Sequence, residues 1–109
     1  MGVYTIHKLL DKVIEVQGSD IHIRVGRPPT LRVNARMGIM DGPPLVPSDT
    51  EEMMKAITPQ RNQLEFKEKG RCAFGLPFER AHFFVRVFLH EGHCGLKLRL
   101  VPPKKPCSS

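Results

Sequence analysis

The sequence predicts an α+β domain with helices packed on one face of an antiparallel sheet. Three observations predict it. Apolar residues recur at helical spacing near the N-terminus, they alternate at strand spacing in several later segments, and turn or capping residues bound each piece. At 109 residues, 40% of them hydrophobic, the chain has the length of one domain and enough apolar surface for a core. No internal repeat or boundary interrupts it. Residues 1–102 are therefore expected to form the domain and residues 103–109 a linker or disordered tail.

Ile6, Leu9, Leu10, Val13 and Ile14 lie on one stripe of a 3.6-residue repeat, which predicts a first helix ended by Gly18. In residues 19–29, Ile21, Ile23 and Val25 alternate with His22 and Arg24, a strand closed by Gly26, Pro28 and Pro29. Residues 30–37 alternate again and read as one strand, with Leu31, Val33, Ala35 and Met37 on one side. Residues 40–47 are a turn-rich connector, to which Ile39 and Met40 add at most a brief strand.

Ser48 followed by Glu51 reads as a capping box that opens a helix carrying Met53, Met54 and Ile57. Thr58 then reads as a second N-cap with Pro59 at the first helical position, and that helix carries Leu64 and Phe66 and ends near Gly70. Three strand-like pieces close the chain, at residues 72–79, 82–90 and 95–102. In the middle piece Phe83, Val85, Val87 and Leu89 face one way, against Phe84, Arg86, Phe88 and His90. In the last, Leu96, Leu98 and Leu100 alternate with Lys97 and Arg99.

Charge is unevenly spread. Residues 1–50 hold six basic and five acidic side chains; the other 59 hold eleven and six, so nearly all of the +6 excess falls in the second half. Lys104 and Lys105 belong to the Pro-flanked tail, and Arg71, Arg80, Arg86, Lys97 and Arg99 to the strands around it. Such an excess suits nucleic acid, nucleotide phosphate or an acidic protein surface, or it is a solvated face. No apolar run approaches the roughly 20 residues of a spanning helix, so membrane insertion is not expected. The first sixteen residues carry charges every few positions, unlike the apolar centre of a signal peptide. Three scattered cysteines do not make a disulfide framework, and a reducing, intracellular setting is expected.

The motifs of catalysis are missing from these 109 residues. No G-x-x-x-x-G-K-[ST] loop occurs, the segment 92–97 lacks its spacing, and neither G-x-G-x-x-G after a strand nor G-x-S-x-G is present. Cys72 and Cys94 with five histidines offer nucleophile chemistry in kind but not in spacing. His90, His93 and Cys94 are acceptable zinc ligands, yet a structural site needs four, and Gly92 and Gly95 make a hairpin tip the simpler reading; no metal is expected. RNA recognition is a further rival. Residues 80–87 match an RNA-recognition strand at Arg80, Phe84 and Val85 only, and Phe84 and Phe88 read more naturally as core.

Ser19, Asp20, Ile21 and His22, then Gly26, Pro28 and Pro29, then Leu31, Arg32 and Val33 form a run of uncommon elements in fixed order. With the connector at 43–53 and the closing segment 95–102, this run resembles the N-terminal domain of the secretion ATPases that drive type IV pili and type II secretion. The nearest branch is the PilT-like retraction motors. The resemblance covers roughly residues 4–102. It implies a PAS-like domain preceding a RecA-like ATPase core in a cytoplasmic ring of six subunits, at the base of an inner-membrane pilus or secretion platform. ATP and Mg belong to the full-length family's core, and no cofactor is expected in this chain. The implied partners are that core and neighbouring subunits, not nucleic acid.

The resemblance also implies that arginines near the end of the domain approach nucleotide phosphate. Arg99, with Leu100, Val101 and Pro102, meets the family's closing R-x-apolar-P, and Arg86 is the second candidate; the alternative is a solvated sheet face. A planar, always-charged guanidinium suits phosphate. Ser19, Asp20, His22, Gly26, Pro28 and Pro29 are expected to be structural, with Asp20 accepting backbone N–H bonds at the start of its strand. Both arginines of the family's R-F-R-V-N-x-F strand are replaced, by His82 and Phe84, and Arg86 stands where asparagine is usual. The segment after Pro102 reads as a linker, so the sequence is expected to be a non-catalytic module without its own motor. A free-standing PAS-like adaptor or ligand sensor, and a basic-sheet RNA binder, are the alternatives.

Overall fold

The computed structural model describes residues 5–78 and 81–101. Helix α1 (Ile6–Glu15) leads into strands β1 (Asp20–Ile23), β2 (Thr30–Val33) and β3 (Arg36–Ile39). Helices α2 (Pro47–Ile57) and α3 (Gln60–Lys69) follow, then β4 (Arg71–Phe78), β5 (Ala81–His90) and β6 (His93–Val101). The six strands form one antiparallel sheet in the order β3-β2-β1-β6-β5-β4. The first and last strands thus meet in its middle. The expected tail, Arg80 and Pro102 lie outside the described residues.

The core lies between the helices and one sheet face. Ile6, Leu9, Leu10 and Val13 of α1 and Met53 and Met54 of α2 are buried against Ile21, Ile23, Leu31, Phe83, Val85, Val87, Leu96 and Leu98. Alternation along each strand sends these side chains inward and their neighbours to the opposite face, which no described helix covers. Leu89, expected inward, is 54% exposed, because β5 runs past the helices toward its hairpin tip. α3 adds no fully buried residue; Phe66 packs at the core margin and Leu64 is exposed. Among the described residues no helix is long and apolar enough to cross a membrane.

Several boundaries differ from expectation, each for a local reason. Residues 30–37 are not one strand but a hairpin. Asn34 and Ala35 both take positive φ (52° and 66°), the geometry of a type I′ turn, so Arg36 and Met37 double back to pair with Val33 and Arg32. Val25 leaves the strand and makes an isolated parallel bridge with Leu45. α1 turns out through Gln17 (φ 56°) instead of Gly18. Gly18 serves a close approach: a Cβ there would stand 3.1 Å from the Arg32 carbonyl oxygen.

The helix opens two residues early, and only the carboxylate half of a capping box is made. Val46 is the N-cap of α2, Pro47 occupies the first turn, and the Asp49 carboxylate accepts the Val46 N–H at 3.1 Å. Thr58 closes α2 and does not open α3; its buried hydroxyl has no partner among the described residues, and Pro59 is the N-cap. α3 ends at Gly70 in the left-handed region (φ 78°), which is where the sequence places the stop.

Candidate functional site

The sheet face away from the helices brings together most of the residues singled out by sequence. Strand register sets them in rows. One row crosses Met37, Arg32, Asp20, Arg99, Phe84 and Gly75; the next crosses Ile39, Thr30, His22, Lys97, Arg86 and Ala73. Arg99 and Arg86 therefore share one surface, on adjacent strands. The Arg86 guanidinium lies 5.9 Å from the centre of the Phe84 ring. Phe84, expected in the core, is 39% exposed here, since its strand parity is that of Arg86 and not of buried Phe83 and Val85.

Asp20 anchors this surface. It is buried at 5% exposure, accepts the Ser19 hydroxyl at 2.8 Å and His22 Nε2 at 3.1 Å, and has Arg32 Nε at 3.7 Å. Its partners are thus side chains, where the sequence suggested backbone N–H groups. Burial by itself raises the Asp20 carboxyl, but the bonds from Ser19 and His22 and the charges of His22 and Arg32 outweigh it, holding the group below its ordinary value. Backbone bonds set the cluster in place: Ser19 N–H donates to the Arg32 carbonyl and Leu100 N–H to the Ser19 carbonyl, each at 2.8 Å.

Gly26, Pro28 and Pro29 sit off this surface, in the connector that receives the segment before α2. Gly26 takes φ 97° and donates to the Leu45 carbonyl at 2.9 Å, Leu45 donates back to Arg27, and Met40 donates to Pro29. That exchange seats Leu45, which is 1% exposed, in the core.

The open face is electrostatically one-sided. Asp20 pairs with His22 and Arg32, while among the described residues Arg71, Arg86, Lys97 and Arg99 have no carboxylate within 4.0 Å. A groove of about 650 Å³ runs over part of this face, edged by Arg24, Arg71, Arg86 and Lys97. Sequence reasoning did not single out Arg24; its parity with His22 was the available signal. A larger cavity, about 1040 Å³, lies between α1 and the β2–β3 hairpin, where Met37, Ile39 and Met40 line it. Lys12, Arg36 and Asp41 also line it, but none of Asp20, Arg86, Lys97 or Arg99 does.

The two described cysteines are buried or half-buried and lie outside the cationic rows. Burial, with help from Glu65, pushes the Cys72 thiol up, and burial, Glu51 and Cys72 push Cys94 up to about 11. His90 and His93 face each other across a two-residue turn at Glu91 and Gly92, a hairpin tip. Among the described residues no three His, Cys, Asp or Glu side chains converge as metal ligands.

A six-stranded antiparallel sheet with three helices, one sheet face covered and the other cationic, defines an α+β domain. No protein-family model matches the chain. It is 30% identical over 100 residues to the type IV pilus ATPase PilU of Pseudomonas aeruginosa, covering 91% of this chain and 26% of that one. It superimposes on the pilus retraction motor PilT, solved with bound ADP, with a TM-score of 0.85 and 27% identity over 94% of this chain and 31% of that one. The Legionella pneumophila ATPase DotB shares the fold, with a TM-score of 0.78 and 20% identity over 94% of this chain and 31% of that one. The chain is homologous to the N-terminal part of the type IV pilus ATPases PilU and PilT, and spans about a quarter to a third of their length.

Proposed function

We propose that this chain is the non-catalytic N-terminal module of a pilus-retraction or secretion ATPase. Its open sheet face packs against a RecA-like motor core and neighbouring subunits of a six-membered ring, on the cytoplasmic side of the pilus or secretion base. ATP and Mg are held by the core, and Arg99, with Arg86 beside it, approaches the nucleotide phosphates. The observation that carries this reading is the unpaired cationic surface around Arg99, on a fold whose solved relative PilT binds ADP. A guanidinium with no carboxylate partner keeps its fork free for phosphate oxygens.

The test joins the domain to its motor core. Arg99→Ala is expected to slow ATP turnover about ten- to a hundredfold, the weight of one charge-assisted bond of about 1.5–3 kcal/mol, while the free domain melts unchanged. The 109-residue chain alone is expected to release no phosphate from ATP. Unaltered turnover in the Arg99→Ala motor returns that arginine to a solvated face.

A further inference from the structure

We propose that the groove edged by Arg24, Arg71, Arg86 and Lys97 is an anion site of the domain itself, taking a polyphosphate-bearing ligand without any help from a motor core. It shares the open face and Arg86 with the reading above but not its key residue: Arg99 does not line the groove.

Register builds the site. His22, Lys97 and Arg86 are direct neighbours across β1, β6 and β5, a polar row about 10 Å long at the usual strand spacing, with Lys97 and Arg86 its cations. One step along, Phe88 pairs with Gly95 on one side and Arg71 on the other. A Cβ on Gly95 would lie 2.7 Å from Phe88 Cε2, so the missing side chain lets the ring lie flat over β6 as part of the groove lining. Arg24, just past the end of β1, adds a further guanidinium.

The cations are uncompensated. None of the four has a carboxylate within 4.0 Å among the described residues, and Arg24 Nε is buried with no hydrogen-bond partner there. The one acid on the rim, Glu65, is turned to Lys69 at 3.8 Å and Asn62 at 3.5 Å. Four like charges around one groove repel, and a buried donor without an acceptor is costly; both costs fall when an anion enters. A single carboxylate brings one charge and two oxygens. A phosphate chain brings several of each, and guanidinium forks match its oxygens.

The experiment titrates inorganic tripolyphosphate into the full 109-residue chain by calorimetry at two salt concentrations. Saturable binding at one site is expected, weaker at the higher salt. Arg24→Gln and Lys97→Gln are each expected to weaken it about tenfold, with Lys97→Gln, a change at an exposed strand position, serving if Arg24→Gln fails to fold. Lys67→Gln, an exposed cation of α3 outside the groove, is the control and is expected to bind as the parent does. ATP in place of tripolyphosphate separates sources: equal affinity assigns the site to the phosphate chain alone, and tighter binding of ATP adds its base on Phe88. No saturation at millimolar tripolyphosphate, or equal weakening by Lys67→Gln, overturns the proposal. Either result leaves the turnover test of Arg99 standing, so the two readings fail separately.

Discussion

His22 Nε2 stands 3.1 Å from Asp20 Oδ2, two residues apart on the same face of β1. With Ser19 and Arg32 this contact makes the Asp20 carboxyl easier to ionise in the fold than in the unfolded chain. A folded value below the unfolded one means that the stabilisation is complete at neutral pH. It is lost as pH falls below the ordinary value, 3.8, and through the folded one.

Asp20→Asn is therefore expected to lower unfolding free energy at pH 7 by about 1.5–3 kcal/mol, the range for hydrogen bonds to a charged group. Near pH 3 the difference from the parent should narrow, because below 3.8 the unfolded chain takes up the proton that the folded carboxyl resists. Urea unfolding of both proteins at the two pH values measures it. A gap of the same size at both would mean that the cluster uses the shape of Asp20 and not its charge.

Ala35 sits at φ 66°, where its Cβ crowds the backbone and glycine does not. Ala35→Gly relieves that strain, partly offset by the freer unfolded chain, for a net stabilisation of about 0.5–1 kcal/mol. In a domain of this size that corresponds to a melting temperature higher by about 2–8 °C. Ala35→Val, β-branched at the same φ, is expected to melt below the parent. If glycine melts no higher than alanine, the β2–β3 turn is not the I′ hairpin described.

That same turn shows where the sequence was legible and where it was not. Leu31, Val33, Ala35 and Met37 keep strict alternation through Asn34, and Asn-Ala lacks the glycine that usually announces a two-residue hairpin, so one strand was the natural reading. Glu91–Gly92 carries the glycine, and there the hairpin was read correctly. Helices α1 to α3 and the inward faces of β5 and β6 follow from local periodicity. Parity also put Arg86 on the face opposite Val85, and Lys97 and Arg99 opposite Leu98.

What periodicity does not contain is the pairing of β1 with β6, residues more than seventy positions apart. That pairing alone sets His22 beside Lys97 and Asp20 opposite Arg99, and it makes a shared surface of separate strands. Arg24, just past β1, joins the groove for the same reason, whereas Arg71 is placed by the pairing of β4 with β5. Phe84 was misplaced by a related limit: an aromatic residue on a strand is apolar on either face, and only the helices decide which face is covered.

Cys94 is half-buried beneath α2, and burial, the Glu51 carboxylate and Cys72 raise its thiol from 9.0 to about 11. Two pH units correspond to about a hundredfold less thiolate at any pH below the ordinary value. Thiolate is the species that reacts with an electrophile, so burial in the folded domain slows Cys94 alkylation. Iodoacetamide at pH 8 should alkylate the native Cys94 peptide at least about a hundredfold more slowly than the same peptide in urea, as followed by mass spectrometry. Glu51→Gln removes one of the three causes and leaves burial, so it should speed the reaction only modestly. Equal rates in native buffer and urea would place Cys94 in open solvent, and the thiol would return as a candidate nucleophile beside His90 and His93.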